Sequence, residues 1–465
     1  METFGPVIAT VQLPDAASAM EAARAARTAG ADRVEIRVDA FEDLGQLGFV
    51  ECLAREMPLL VSGNRTTLER REIEPFRRFQ AAGAWVDIPF APDLPTALWG
   101  VDRTRLVFSF HDFEGTPGDL GVVLQGIRAR RPGVCKVVPT ARDFGDLLTV
   151  RELLRREGAR GDLCAFAMGV PGRASRALAL SWGSCATYTS APGSGPAAPG
   201  QMDLRTLMEV YCPREVRGEE PLYGVVGWPL LSTGSPALHN RWLRELGLPG
   251  RFVPLPVKDL EAFLSPAWDF GLRGVAVTVP YKRDVLQRVV GCSRLAREVG
   301  ACNTMLPQGR GWCGANTDVF GIRTALASVP RGVPGLLLGA GGAAAAAAYV
   351  LSSRGPLTIA ARDDSKARNL AGRFGTRSVA WKDRATVPCD LLVNATSCGQ
   401  EGEESPFPED ALRARRVFDM VVREGGTSLL RAARERGAIA IPGQAMLEAQ
   451  ARLQFTLFTG RKPPR

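Results

Sequence analysis

Residue 136 is a lysine in the middle of an apolar run, VCKVV at 134–138, and one of only two histidines, His111, closes the run VFSFH at 107–111. An ammonium in an apolar strand is costly unless it is paired or used. Burial and neighbouring cations lower a lysine's pKa, and the freed amine attacks a carbonyl carbon to form an imine. An imidazole close by moves protons near neutral pH. The plainer readings are a lysine that snorkels or pairs with a carboxylate and a histidine that caps or packs. Further along, TVPYK at 278–282 puts Lys282 just after an apolar run, and NTDVFG at 316–321 puts Asp318 before a helical one. A lysine paired with a carboxylate can pass a proton to a carbonyl oxygen as hydride reaches its carbon. An ordinary surface salt bridge has the same residues. A third element is LLLGAGGAA at 336–344, where Gly339, Gly341 and Ala344 have the GxGxxA spacing. Small residues there let the backbone approach a pyrophosphate at a helix N-terminus, and the bland alternative is an alanine-rich core helix after a turn. About 20 residues on, the position that reads the cofactor ribose, an apolar run ends in Arg362, with Lys366 close behind. A cation at that place accepts a 2′-phosphate, which favours NADP, while the adjacent Asp363 keeps NAD open. An imine-forming lyase that releases a ketone would suit a nicotinamide reductase downstream.

These residues need scaffolds. Eight strand candidates, 7–11, 33–38, 58–61, 84–88, 105–109, 134–138, 163–167 and 184–188, alternate with helical stretches up to about Cys212. That is the pattern of a closed (β/α)8 TIM barrel, whose site lies at the C-terminal ends of its strands. Arg65 follows the third strand, Asp87 closes the fourth, His111 follows the fifth and Lys136 lies within the sixth. A Gly/Pro/Ser-rich stretch, 190–200, leads to a helix and a charged segment, 213–220, that reads as an interdomain linker. From Tyr223 a second α/β unit begins, and from Gly335 a strand, a glycine turn and a helix open a Rossmann-type half. The predicted domains are 1–214, 221–328 with 441–465, and 329–440. No internal repeat is found.

Length and composition agree with this organisation. A chain of 465 residues is too long for one ordinary core. Ten cysteines without a CxxC pair or a Cys/His cluster indicate neither zinc nor a disulfide framework and point to a reducing cytoplasm. The N-terminal residues lack the basic and apolar stretches of a secretion signal. One uncharged stretch, 332–353, is long enough to suggest a membrane helix, but its glycines and alanines favour a strand, a turn and a buried helix. The net charge of +9 comes mostly from arginines spread along the chain, without a basic run interleaved with aromatics. Nucleic-acid and membrane partners are therefore not expected, and anionic small molecules are the simpler reason for the excess.

The first 201 residues resemble type I 3-dehydroquinate dehydratase, through VEIRVD at 34–39, RTTLE at 65–69, SFHDF at 109–113, the strand with Lys136, MGVPGRASR at 168–176 and PGQ at 199–201. The resemblance implies that Lys136 forms the imine with the substrate ketone, that His111 removes and returns protons and that Glu69 assists it. It further implies that Arg176 holds the substrate carboxylate, while Glu35, Arg37, Arg65, Asp87 and Gln201 shape the polar pocket. From Tyr223 onward the chain resembles shikimate dehydrogenase, through GWPLLSTGSPALHN at 227–240, TVPYK, GACNT at 300–304, GANTDVFG at 314–321, GAGGAA at 339–344, NATSCG at 394–399 and GQAMLEAQ at 443–450. Lys282 and Asp318 are then the catalytic pair, and Thr233 and Ser235 bind the substrate carboxylate. Thr278, Asn303 and Gln450 hold ring hydroxyls. Gly339, Ala340, Gly341, Gly342, Ala343, Arg362, Lys366, Asn394, Thr396 and Gly443 surround NADP. No metal is expected.

The implied activity is a fused enzyme running from 3-dehydroquinate through 3-dehydroshikimate to shikimate. Departures from the families' patterns are Arg70 and Arg71 for two glycines, Pro89 for a carboxylate and Ala197 for a serine in the first half. In the second half, Thr233 replaces a serine, Ala276 takes a polar position, Ala361 and Asp363 flank the cofactor arginine, and Val422 stands for a tyrosine. Alternatives are a quinate-using or decayed half, or a metabolite-sensing regulator, which should have lost Lys136, His111, Lys282 or Asp318. Oligomeric state is not legible.

Overall fold

The computed structural model describes residues 4–41, 47–63, 74–90, 100–215, 220–230 and 233–464. The chain forms two compact units, Met1–Pro221 with Pro249–Pro266, and Leu222–Leu248 with Ala267–Arg465.

In the first unit the parallel strands are β1 (Val7–Val11), β2 (Arg33–Arg37), β3 (Leu59–Ser62), β4 (Trp85–Pro89), β5 (Leu106–His111), β6 (Val134–Val138), β7 (Leu163–Ala165) and β8 (Thr187–Ser190). Their order, β7-β6-β5-β4-β3-β2-β1-β8, is the sequential ring of a (β/α)8 barrel. Between β7 and β8 the seam is bridged by Cys185 N, which donates to Leu163 O at 2.8 Å, and by Ala165 N, which donates to Ser184 Oγ at 3.0 Å. Ser184 and Cys185 therefore serve the seam rather than a regular ladder, and the last strand starts at Thr187 instead of the expected Ser184. Helices Ala16–Thr28, Leu120–Arg128 and Phe144–Glu157 each begin on an aspartate, Asp15, Asp119 and Asp143, whose side chain accepts from first-turn N–H groups.

Side chains alternate along a strand, so residues two positions apart share a face. Ile8, Leu60, Trp85, Val107 and Val134 join Cys164, Phe166 and Tyr188 in one apolar cluster. Two residues further along the same strands stand Thr10, Ser62, Asp87, Ser109 and Lys136, all buried. Strand pairing sets Thr10 beside Glu35, Ser62 beside Asp87 and Ser109 beside Lys136. The barrel thus has an apolar floor and, roughly 7 Å toward the C-terminal strand ends, a polar layer.

In the second unit β9 (Leu222–Gly227), β11 (Leu272–Val277), β13 (Thr304–Gln308), β14 (Gly311–Ala315) and β12 (Gly291–Cys292) are neighbours in that order; β10 (Arg251–Pro256) lies in the segment grouped with the first unit. A separate all-parallel sheet is built from β15 (Gly335–Leu338), β16 (Leu357–Ala361), β17 (Arg377–Ala380), β18 (Leu391–Asn394), β19 (Arg416–Asp419) and β20 (Ile439–Pro442), ordered β17-β16-β15-β18-β19-β20. Counted from the glycine-turn strand this is 3-2-1-4-5-6, the dinucleotide-binding order with its switch point between β15 and β18. The uncharged stretch divides as expected into β15, a turn and helix Gly342–Ser352, whose alanines 344–348 are buried. No helix among the described residues is long and apolar enough to cross a membrane. Helix Gln444–Thr459 packs on helix Asp318–Ala325 at Gly321, where a Cβ would lie 2.5 Å from Met446 O and 3.1 Å from Gln450 Cβ. That close approach brings Gln450 to the residues around Asp318.

Candidate active sites

Lys136 is buried in the polar layer of the barrel. Its Nζ donates to Asp87 Oδ2 at 2.9 Å, lies 3.9 Å from Glu35 Oε1, and sits 4.1 Å from the centroid of the Tyr188 ring. Here the structure corrects a sequence expectation. Burial does act to lower the amine's pKa, but the carboxylates of Asp87 and Glu35 outweigh it and the net shift is upward. Lys136 rests as an ammonium. Glu35 Oε2 accepts from Thr10 Oγ1 at 2.6 Å; Gln201 reaches the same hydroxyl at 3.4 Å through Nε2, and its Oε1 accepts from Ala197 N at 2.6 Å. Asp87, expected to shape the polar pocket, bonds Lys136 through Oδ2, and its buried Oδ1 has no hydrogen-bond partner among the described residues.

His111 is the last residue of β5 rather than a loop residue after it. Burial, then the charges of Lys136 and Arg37, push its pKa down to about 3. The imidazole is neutral at working pH and able to accept a proton. Arg37 is held as a fork, Nε donating to Asp39 Oδ1 at 2.9 Å and Nη2 to Asp39 Oδ2 at 2.7 Å. Arg176, on helix Arg173–Trp182, is 2% exposed and lies over the Phe166 ring at 4.4 Å. Its only hydrogen bond among the described residues is a long one, 3.4 Å from Nη1 to Tyr188 O, and its Nε has no partner. Burial lowers its pKa to about 10. A buried guanidinium with unspent donors has the chemistry to pair with an anion. Arg65 and Glu69, with Arg70 and Arg71, lie outside the described residues.

In the second unit Lys282 Nζ donates to Asp318 Oδ2 at 2.7 Å. Asp318 is the first residue of its helix, and its Oδ1 accepts from Asn303 Nδ2 at 2.9 Å. The Asn303 amide is oriented by Thr317 N and Thr304 Oγ1, which donate to its Oδ1 at 2.7 and 2.9 Å. Its Nδ2 also reaches Thr317 Oγ1 at 2.8 Å and Gln450 Oε1 at 3.2 Å. Gln454 Nε2 ties this group down through Asn303 O at 2.9 Å and Thr304 Oγ1 at 2.8 Å. Sequence reasoning missed Thr317, Thr304 and Gln454; the i, i+4 spacing of Gln450 and Gln454 on one helix face was the available signal. Ser235 begins helix Ser235–Glu245 and its N donates to Thr233 Oγ1 at 3.3 Å, while Thr278 follows β11, its N donating to Val226 O at 2.9 Å. Val277, the residue before Thr278, donates its N–H to Asn303 O at 2.8 Å, which ties the end of β11 to the Asn303 segment.

At the glycine turn Gly339 has φ +116°, and a Cβ there would lie 2.9 Å from Ala395 O. Buried Ala340 follows it, and Gly341 caps helix Gly342–Ser352 without any side-chain acceptor, leaving the first-turn N–H groups for a ligand. Gly342, followed by Ala343, admits the Lys282 side chain, which a Cβ would strike. Asn394 Nδ2 donates to buried Asp419 Oδ1 at 2.9 Å, and its Oδ1 accepts from Thr396 N at 3.0 Å and Thr396 Oγ1 at 2.7 Å. Gly443 passes so close to Asp419 that a Cβ would lie 2.9 Å from the latter's carbonyl oxygen. Arg362 and Lys366 are exposed beyond β16. Asp363 caps helix Asp364–Phe374, accepting from Ser365 N and Lys366 N, both at 3.1 Å. The Ser365 hydroxyl and Lys366 hold its carboxyl down at about 2. Among the described residues no group of three or more His, Cys, Asp or Glu is arranged to hold a metal.

A barrel with a buried lysine, carboxylates and a neutral imidazole, joined to a dinucleotide fold with a lysine–aspartate pair, defines a chain that combines a lyase with a nicotinamide oxidoreductase. The type I 3-dehydroquinase family model matches residues 7–216, and that of the shikimate dehydrogenase substrate binding domain matches residues 225–305. A bifunctional 3-dehydroquinate dehydratase/shikimate dehydrogenase, chloroplastic, of Arabidopsis thaliana is 29% identical over 477 residues, covering 94% of this chain and 79% of its own. A shikimate dehydrogenase (NADP(+)) of Pelobacter propionicus is 37% identical over 255 residues, 52% of this chain and 92% of its own. The solved structure of shikimate dehydrogenase 1 from Peptoclostridium difficile superposes with a TM-score of 0.50 at 25% identity, covering 53% of this chain and 94% of its own. The chain belongs to the shikimate dehydrogenase family and carries a type I 3-dehydroquinase domain ahead of it, a bifunctional homologue with both domains present.

Proposed function

We propose that the domains 1–214, 221–328 with 441–465, and 329–440 carry out two consecutive steps with the following residues. In the first, Arg176 holds the carboxylate of 3-dehydroquinate, and Glu35, Arg37, Arg65 and Gln201 line its pocket. Lys136 forms an imine with the ketone. Neutral His111, assisted by Glu69, takes the proton α to the imine carbon; the freed electron pair runs toward the iminium and then returns to expel the hydroxyl, which His111 protonates to water. Hydrolysis of the imine releases 3-dehydroshikimate.

In the second step Thr233 and Ser235 bind the carboxylate, and Thr278, Asn303 and Gln450 hold ring hydroxyls. NADPH, when bound, supplies the hydride to the carbonyl carbon. Lys282 gives the carbonyl oxygen its proton and draws orientation from the 2.7 Å bond to Asp318. The uncapped helix N-terminus and the forced glycine at 339 fit a pyrophosphate, with Ala340, Gly341, Gly342, Ala343, Asn394, Thr396 and Gly443 around it. NADP is favoured over NAD because Asp363 spends its carboxylate on the helix cap and on Lys366 Nζ, 3.5 Å from its Oδ2, so that Arg362 is the cation available to a 2′-phosphate, with Lys366 beside it. All ten cysteines are free thiols, in keeping with a reducing cytoplasm.

The buried, anion-seeking Arg176 in the same barrel as Lys136 and neutral His111 is the observation that carries this reading. Purified protein given 3-dehydroquinate with NADPH should yield shikimate. Lys136→Ala should abolish dehydration and spare shikimate oxidation, and Lys282→Ala should let 3-dehydroshikimate accumulate. Equal loss of both activities in either variant would contradict two independent sites.

A further inference from the structure

We propose that Asp87 is a catalytic residue of the barrel: it carries protons between the nitrogen of Lys136 and the substrate oxygen while the imine forms, and back again during its hydrolysis. This rests on Lys136 being the imine-forming amine.

The proton balance creates the need. An ammonium has no lone pair, so the resting Lys136 cannot attack. Overall, lysine–NH3⁺ and a ketone become an iminium, which keeps one proton, and water, which takes the other two. Two protons must therefore travel from nitrogen to oxygen inside a buried layer. Asp87 Oδ2 is in hydrogen-bond contact with Nζ at 2.9 Å, whereas Glu35 lies 3.9 Å off and is occupied by the Thr10 hydroxyl at 2.6 Å. Neutral His111 is a poor first acceptor, because its protonation would add a cation beside Lys136 and Arg37. The Tyr188 face supports positive charge on the nitrogen but offers it no base.

Asp87 also has capacity to spare. It is 3% exposed, and its Oδ1 is buried without a hydrogen-bond partner among the described residues, as is the hydroxyl of Ser62, its neighbour in register. A structural ion pair should satisfy both oxygens, since a bare buried acceptor is penalised. A proton shuttle needs a free acceptor oxygen for the hydroxyl that forms and leaves.

The sequence of steps is then closed. Asp87 takes a proton from the ammonium; the nitrogen lone pair bonds to the ketone carbon and the C=O π pair moves to oxygen. Asp87 delivers its proton to that oxygen and takes a second from the nitrogen. It passes the second to the hydroxyl, which departs as water while the nitrogen lone pair closes the C=N bond. Asp87 is left as a carboxylate beside a cation of the same charge as the starting ammonium.

Rapid mixing of the full-length protein with 3-dehydroquinate, followed by borohydride quenching and mass measurement of the reduced adduct, times imine formation separately from elimination. Asp87→Asn keeps shape and hydrogen bonding but cannot carry a proton, and should slow adduct formation by on the order of 100-fold or more. Asp87→Ala should be equally slow and should be accelerated by added formate in proportion to its concentration. Shikimate oxidation by the second unit of the same variants reports that the chain is folded. Imine formation in Asp87→Asn at the parent rate would overturn the proposal. Slow formation in Asp87→Asn with no formate response in Asp87→Ala would equally overturn it, reducing Asp87 to a positioning residue. Adduct found in Lys136→Ala would instead remove the underlying assignment of Lys136.

Discussion

Replacing Arg176 by methionine should make the barrel more stable and its chemistry much slower. Burial depresses the guanidinium pKa to about 10, which corresponds to roughly 3 kcal/mol against the charged form in the folded state. At 2% exposure no solvent screening discounts it. The folded pKa lies below the unfolded one, so this cost is present in full at every pH below about 10. Methionine removes it, and gives up the Phe166 stacking at 4.4 Å, about 1–2 kcal/mol, and one weak bond to Tyr188 O. The net gain is about 1–2 kcal/mol, or a rise of roughly 2–8 °C in the first unit's calorimetric transition. Losing a buried charge partner for the substrate carboxylate costs about 2–5 kcal/mol, roughly 30- to 4,000-fold in kcat/KM for 3-dehydroquinate. Differential scanning calorimetry and steady-state kinetics on the same sample test both signs, with shikimate oxidation as the internal control. A fall in the melting temperature by several degrees would show the guanidinium to be structurally paired. A kcat/KM within threefold of the parent would place the carboxylate elsewhere.

Acid sensitivity should start early in the second unit: burial holds His239 down at about 3, so between about 6.5 and 3 the unfolded chain binds a proton that the folded chain refuses. Its contribution to stability should fall by about 1.4 kcal/mol per pH unit across that window in urea titrations, and His239→Phe should flatten the slope. For the dehydratase, kcat/KM should show no inflection near 6.5 from His111, whose imidazole signals in NMR should stay those of the neutral ring at pH 5. Asn303→Asp should lower shikimate oxidation by on the order of 100-fold, because it replaces a donor to Asp318 Oδ1 by a second carboxylate; near-normal kcat/KM would refute the orienting role. Asp363→Ser preserves a capping oxygen and removes a negative charge, so KM for NADPH should drop severalfold with KM for NADH nearly unchanged.

Much of this protein is local. Strand alternation places Thr10, Asp87 and Lys136 on one face with Ile8, Trp85 and Val134 below them, and it is legible because a strand's period is two whatever surrounds it. The glycine turn is equally local, since at φ +116° residue 339 has to be glycine. The families' motifs pointed to Lys136, to His111 and to the pair Lys282–Asp318, but not to the carboxylates that stand against the Lys136 ammonium. Only the tertiary structure decided which way Lys136 titrates. Its neighbours in sequence are apolar and suggest a depressed pKa, whereas the carboxylate that raises it belongs to Asp87, 49 positions earlier in the chain. Gln450 reaches Asn303 across 147 positions, and Asn394 meets Asp419 across 25. Backbone conformation and facing are fixed by a residue and its nearest neighbours, but a protonation state is a sum over every charge and every lost water that folding brings within a few ångströms. That sum does not exist until the barrel closes.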